Sequence, residues 1–240
     1  LANFLSAFAG GGAGLIQLPS LILLGLPFPV ALATHKFASI ALGIGASLRY
    51  LQEKTLSPHF ALYILICGVP GVVFGANILL SFTDKFAYIA LGFLTLFIGI
   101  YSSKSLELGI ESLDISLNKF QFIFGGIVLF LLGVLNGSLS SGSGLLVTIW
   151  LVSWFRISYS QAIAYTLIIV GFFWNGIGAV FLSVNTTAQW SWLPVLIFGS
   201  LIGGYIGSHI SIKKGNTLVK KSFEVISVIM GLSLIIRALI

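Results

Sequence analysis

Residues Gly10-Gly11-Gly12-Ala13-Gly14-Leu15 place four glycines within five positions between apolar runs, and a shorter version returns as Ser141-Gly142-Ser143-Gly144-Leu145. A glycine in a helix interior costs about 1 kcal/mol against alanine, so neither cluster suits a regular helix. Each is read as a helix break. The flanking sequence decides what such a break can mean, because runs of about twenty apolar residues, the length a helix needs to cross a bilayer, recur along the chain. Lipid gives a broken backbone no hydrogen-bond partner, so a break at membrane depth must face protein or a watery cavity. The breaks are therefore the expected functional places.

With 58% hydrophobic and 8% charged residues and a mean hydropathy of +1.10, the chain has too few polar side chains to cover a soluble globule. It is read as an all-α integral membrane protein, multi-pass in the plasma (inner) membrane, with a single transmembrane domain over 1–240. The apolar runs are continuous, unlike the ten-residue alternations of a barrel. The formal net charge of +6 fits basic cytoplasmic loops in a membrane protein, and no basic stripe with interleaved aromatics suggests nucleic acid. The single Cys67 excludes an intramolecular disulfide framework and a thiolate cluster. His59 and His209 have no cysteine or carboxylate at ligand spacing, so no metal is expected, and no cofactor is implied.

Leu1 to Phe8 and Leu15 to Leu26 are each too short to cross a bilayer and read as two half-helices around the first break. Pro27 and Pro29 then precede a span from Val30 to Leu51, followed by spans from Phe60 to Leu80 and from Phe86 to Tyr101. The polar stretch 104–119 is the expected linker. Beyond it the pattern repeats, with Phe120 to Leu135 and Leu145 to Phe155 flanking a second break that runs from Asn136 through Gly144. Ala31-Leu32-Ala33 matches Ala162-Ile163-Ala164, while Gly71, Gly75 and Gly99 match Gly203, Gly207 and Gly231. Repeat one is taken as 1–103 and repeat two as 120–240, each a re-entrant helical pair plus three spanning helices. Lys213, Lys214, Lys220 and Lys221 mark one loop of the second half as cytoplasmic and leave 183–191 outside. In the first half Arg49 and Lys54 mark the non-equivalent loop, so the repeats are expected to be inverted, as an odd number of crossings requires.

An unwound, glycine-rich stretch that leads into a helix offers free N–H groups and the positive end of a dipole, which suits an anion. The candidate binding residues are Gly11, Gly12, Gly14 and Gln17 at the first break, Thr34, His35 and Lys36 in the following helix, and Ser140, Ser141, Gly142, Ser143 and Gly144 at the second. Lys36 lies two turns inside an apolar run, where a charge costs at least about 2.5–3.5 kcal/mol near the bilayer centre; it either binds an anion or snorkels. His35 is either a packed histidine or a ligand, and it is the titratable candidate for coupling to protons. A proton on it and an anion beside it stabilise one another, so uptake of the two would be linked. Thr34 and Gln17 can donate to substrate oxygens, though a threonine also bonds back to its own helix. Glu53, Asp84, Glu107, Glu111, Asp114 and Glu224 all fall in loops or near span ends, so no catalytic pair is apparent and the chain is not read as an enzyme.

Gly10 to Gly14 leading into Leu15, then Pro19, Leu24-Gly25-Leu26-Pro27 and Val30-Ala31-Leu32-Ala33-Thr34 before Lys36, together with the duplicated second half, resemble the TauE/SafE anion exporter family, also called TSUP. The resemblance covers nearly the whole chain and implies transport of a small sulfur-containing anion such as sulfite or an organosulfonate. Where the family pattern reads Thr-Asn-Lys this chain has Thr34-His35-Lys36, and Tyr165-Thr166-Leu167 carries no lysine, so the site is expected to be electrostatically one-sided. An anion channel, a carrier of a non-sulfur carboxylate and a membrane scaffold are the alternatives. The lipid bilayer and a small anion are the expected partners, and a homo-oligomer stays open.

Overall fold

The computed structural model describes residues 1–10, 13–53, 56–78, 84–104, 118–140 and 142–239, and every regular element among them is helical. Helices α1 (Ala2–Ala9) and α2 (Ala13–Leu23) are the short arms around the first glycine cluster. α1 stops because Gly10 takes φ 86° and returns its N–H to Ser6 O, a left-handed C-cap that costs a glycine no Cβ clash. Gly11 and Gly12 lie outside the described residues. α3 (Phe28–Tyr50) starts behind Pro27 and carries Pro29 in its first turn, where helix N–H groups have no partner to lose. α4 (Pro58–Ile78) and α5 (Asp84–Lys104) complete the first half, and most of the expected linker, 105–117, is outside the described residues.

α6 (Lys119–Ser138) opens on a reciprocal cap between Asn118 and Gln121, and α7 (Ser143–Phe155) begins after Gly142 at φ 77°. The first arm of this pair is longer than the expected Phe120 to Leu135, because Asn136, Gly137 and Ser138 continue the helix. Ser138 donates back to Val134 O at 2.8 Å, and Gly137 sits against the backbone of Val72. The gap between the end of α6 and the start of α7 is therefore shorter than expected. There Ser140 is held at φ 57°, a left-handed conformation that costs a non-glycine residue about 1–2 kcal/mol and needs surroundings that enforce it.

α8 (Tyr159–Tyr165), a π-helical stretch (Thr166–Trp174) and α9 (Asn175–Asn185) run on from one another as a single rod. α10 (Leu193–Leu239) contains the last two expected spans, joined only by a sharp turn at Gly215, φ 77° and ψ 168°, where a longer loop was expected. One of the lysines assigned to that loop, Lys220, turns inward: its Nζ donates to Ser102 O at 3.0 Å and lies 3.4 Å from Glu224 Oε1.

Phe28–Tyr50, Pro58–Ile78, Lys119–Ser138 and Tyr159–Val184 are long and apolar enough to cross a membrane. Ile66 and Phe74 on α4, with Ile123, Ile127 and Leu131 on α6, stay exposed, an apolar surface that suits lipid. Small residues set the contacts inside. Gly71 and Gly75 of α4 fit against the backbone of Phe130 and Val134 of α6, and the two helices run parallel. Gly203 and Gly207, in the first half of α10, fit against Asn3, Phe4 and Ala7 of α1 in the same sense. α5 and the second half of α10 run antiparallel, Gly92 against Gly231 and Gly99 against Glu224 O. At the centre α3 crosses the 159–185 rod antiparallel, with Gly43 on Gly171 and Phe172 and the Lys36 side chain beneath Gly178. The C-terminal end of α3 lies beside 209–211, Arg49 Nε donating to His209 Nδ1 at 3.0 Å. Its second turn meets the 186–192 segment, where Gln189 N donates to Thr34 Oγ1 at 2.8 Å.

Candidate functional site

Both breaks border one cavity, bounded by Ala13 and Gly14 at the start of α2 and by Ser140, Ser143 and Gly144 around the start of α7. Ser6, His35, Ser39, Asn136, Thr166 and Asn175 add polar side chains to its wall. Its volume is about 40 Å³, against the ~10–15 Å³ that one water needs on the same measure, so a few waters or a compact anion fit.

Lys36 is fully buried, yet it does not border the cavity. Its Nζ donates to Asn136 O at 2.8 Å and to Asn136 Oδ1 at 3.3 Å, with a longer contact to Asn175 Oδ1 at 3.4 Å. The first of these acceptors belongs to the last turn of α6, where the dipole is negative, and it also takes Ser140 N–H at 3.1 Å. The charge is therefore held by the C-terminal end of one broken helix. The facing end of the other, the start of α7, has no side-chain cap on its N–H groups and opens on the cavity. One break thus offers its negative end to a cation and its positive end to the empty space beside it.

The two asparagines tie these parts together. Asn136 Nδ2 donates to Ser143 Oγ at 3.0 Å and to Asn175 Oδ1 at 3.2 Å, and Ser143 Oγ donates to Ser140 O at 2.9 Å. Ser140 Oγ reaches Asn175 Oδ1 at 3.4 Å, which helps to hold Ser140 in its left-handed turn. His35 faces Gln17 Oε1 through Nδ1 at 2.9 Å and Ser39 Oγ through Nε2 at 3.4 Å, so Gln17 positions the imidazole from behind. Thr148 Oγ1 donates to Gly10 O at 2.6 Å and pairs with Thr166 Oγ1 at 2.9 Å, fastening the first break to α7 and the rod.

Of the residues singled out from sequence, Gly14, His35, Ser140, Ser143 and Gly144 border the cavity. Gln17 and Lys36 stand one layer behind it. Thr34 is turned elsewhere, its hydroxyl committed to Val30 O at 2.7 Å and to Gln189 N. Gly142 supplies the left-handed turn ahead of α7, while Gly11, Gly12 and Ser141 fall outside the described residues. Sequence reasoning missed Ser6, Ser39, Asn136, Thr166 and Asn175 as polar wall residues. Asn175 had a usable signal, a lone amide in an apolar run, since polar groups at membrane depth are costly and tend to be functional.

Apolar helices of spanning length, interrupted helices that meet on a cavity with polar side chains in its wall and a charge held at a broken helix end define a membrane transporter. The chain belongs to the TauE/SafE family: the profile described as "Sulfite exporter TauE/SafE" matches residues 1–234. A protein of Haemophilus influenzae named "Probable membrane transporter protein" is 28% identical over 230 residues, which are 96% of this chain and 89% of the relative. The probable membrane transporter protein YfcA of Escherichia coli K12 is 24% identical over 238 residues, 98% of this chain and 86% of the relative. YunE of Bacillus subtilis, named in the same way, is 22% identical over 263 residues, 98% of this chain and 94% of its own. No solved structure matches the chain.

Proposed function

We propose that the chain is a multi-pass transporter of the plasma membrane that carries a small sulfur-containing anion, such as sulfite or an organosulfonate, through the cavity between the two breaks. The observation that carries this reading is the uncapped N-terminal turn of α7 opening on a cavity backed by Lys36, with no Asp or Glu among the described residues on its wall. Anions are favoured where helix N–H groups and a nearby cation converge in a dry site, and a carboxylate there would oppose them. Sulfur enters through the family description and the resemblance of the glycine-rich motifs.

The inverted-repeat reading, with 1–103 and 120–240 as the copies of a single domain, is part of the same proposal. It is supported by reciprocal packing: α4 meets α6 through Gly71 and Gly75 as the first half of α10 meets α1 through Gly203 and Gly207. The contact of Gly92 with Gly231 is mirrored by that of Gly99 with Glu224. Arg49 and His209 then share one side with Lys213 and Lys214, the cytoplasmic side by the positive-inside rule, and 186–192 faces outward. Proton coupling is assigned to His35, which borders the cavity.

Reconstitution into proteoliposomes tests the proposal. Methanesulfonate or sulfite should enter protein-containing vesicles well above the rate of empty ones, faster under an inward proton gradient, and His35→Asn should lose the gradient effect while keeping transport. Flux equal to that of empty vesicles for both anions would remove the reading. Cysteines placed at Ser57 and Thr187 should label from opposite faces; labelling from one face would overturn the inversion.

A further inference from the structure

Asn175 carries more information than a wall residue needs to. Its side chain is 6% exposed, and its oxygen is approached by three donors: Lys36 Nζ, Asn136 Nδ2 and Ser140 Oγ. An ammonium only donates, so the amide atom that faces Lys36 has to be the oxygen, and chemistry alone fixes the orientation of the amide. Lys36, Asn136 and Ser140 all approach the oxygen, so Nδ2 is the end of the amide left without a protein acceptor. That nitrogen has no partner among the described residues, although Asn175 is more than nine-tenths buried and borders the cavity. Nδ2 is not one of the fully buried unpartnered polar atoms, so it keeps accessible surface, and in a residue this buried that surface lies on the cavity side, where a ligand oxygen can accept from it.

The uncapped first turn of α7 borders the same cavity through Ser143 and Gly144. Two independent features therefore present donors to one small volume. Strong acceptors are scarce: Asn136 O and both asparagine oxygens are engaged by Lys36, the His35 nitrogen left as an acceptor, Nε2, already faces Ser39 Oγ at 3.4 Å, and no Asp or Glu of the described residues borders the space. Hydroxyls remain, and they accept weakly while they donate elsewhere, as Ser143 does to Ser140 O. An oxyanion that carries its own O–H must leave that proton poorly satisfied here, whereas a fully ionised sulfonate only accepts.

Building on the anion reading of this cavity, we infer that Asn175 is its specificity-determining residue, held by Lys36 with Nδ2 toward the ligand, so that the site takes acceptor-only oxyanions such as a sulfonate and rejects oxyanions bearing a hydroxyl, such as hydrogenphosphate. Lys36 then acts as a positioning residue for the amide as well as a background charge. Sites built around one set of hydrogen-bond roles discriminate strongly against a ligand that reverses one of them.

Calorimetry on the purified full chain, with methanesulfonate and inorganic phosphate as probes at about pH 7, tests this; both phosphate species present there carry O–H. The wild type should bind methanesulfonate at least about tenfold more tightly than phosphate, the ratio expected of one mismatched hydrogen bond. Asn175→Asp exchanges the donor for an acceptor at constant shape and should narrow or reverse the ratio. Should that variant not fold, Asn175→Ala removes the donor together with the oxygen behind it and should lower methanesulfonate affinity about tenfold, more than it lowers phosphate affinity. Lys36→Met frees the amide to turn its oxygen into the cavity and should narrow the ratio, and Lys36→Arg, still donor-only, should restore most of it. An unchanged ratio in both Asn175→Asp and Lys36→Met, or an unchanged methanesulfonate affinity in Asn175→Ala, overturns the inference. Binding of neither probe to the wild type overturns the anion reading itself, a separate outcome.

Discussion

α3 and the 159–185 rod cross at the centre of the molecule and occupy corresponding places in the two proposed copies, yet they are built differently. α3 stays α-helical over its 23 residues and brings Lys36; the rod widens to a π-helix over nine residues, Thr166–Trp174, and brings a neutral amide, Asn175. Where the first copy has Thr34-His35-Lys36 the second has Tyr165-Thr166-Leu167. On the proposed reading, charge and recognition are divided between the copies. The widened turns place Thr166, Leu167, Val170 and Gly171 on the cavity and set the register at which Asn175 arrives opposite Lys36. π-helical turns inside α-helices are rare and recur at functional sites because an extra residue re-aims the side chains on its C-terminal side.

If that register matters, removing one residue from the π stretch is the most damaging change. Deleting Ile168 rotates everything beyond it by roughly 100°, so Asn175 leaves Lys36 and methanesulfonate affinity should fall by well over about tenfold. A deletion variant that folds and binds like the wild type would separate the π-helix from the site. Next in size is the crossing itself. A Cβ at Gly43 would meet the backbone of Gly171 and Phe172, so Gly43→Val should cost about 3 kcal/mol through forced separation of the two helices, read as a lower thermal midpoint in detergent. A midpoint equal to that of the wild type would mean that the crossing tolerates separation. The smallest effect is expected at Thr34, on the α3 side but turned from the cavity. Thr34→Val deprives Gln189 N–H of its acceptor and should cost about 1 kcal/mol of stability. A fall in anion affinity larger than the fall in stability would return this hydroxyl to the site.

The same comparison shows what sequence can and cannot disclose. The breaks were legible because glycine clusters are incompatible with helix interior, and Gly10 and Gly142 do adopt left-handed turns. Helix ends marked by Pro27 and Pro29 were legible for the same local reason. The extent of the second break was not, because Asn136-Gly137-Ser138 has loop-like composition while tertiary contacts, Ser138 on Val134 and Gly137 on Val72, keep it helical. The π stretch leaves no trace in hydropathy, since a run as apolar as Leu167 to Phe173 shows no period. Lys36 stood out as a charge in an apolar run, but its partners are about one hundred or more residues away in the chain, and no local pattern could show that they hold it one layer behind the cavity wall.

The central claim, that an oxyanion sits between the start of α7 and Asn175, is most directly tested by locating one. Crystals grown or soaked with selenate, which is fully ionised and whose selenium gives anomalous scattering, should show a single strong peak in the cavity, within hydrogen-bond reach of Asn175 Nδ2 and of the Ser143 and Gly144 N–H groups. The peak should vanish in Asn175→Asp. A peak that instead lies against Lys36 Nζ, with Asn136 and Asn175 displaced from it, or one that occupies the cavity unchanged in Asn175→Asp, would contradict the account.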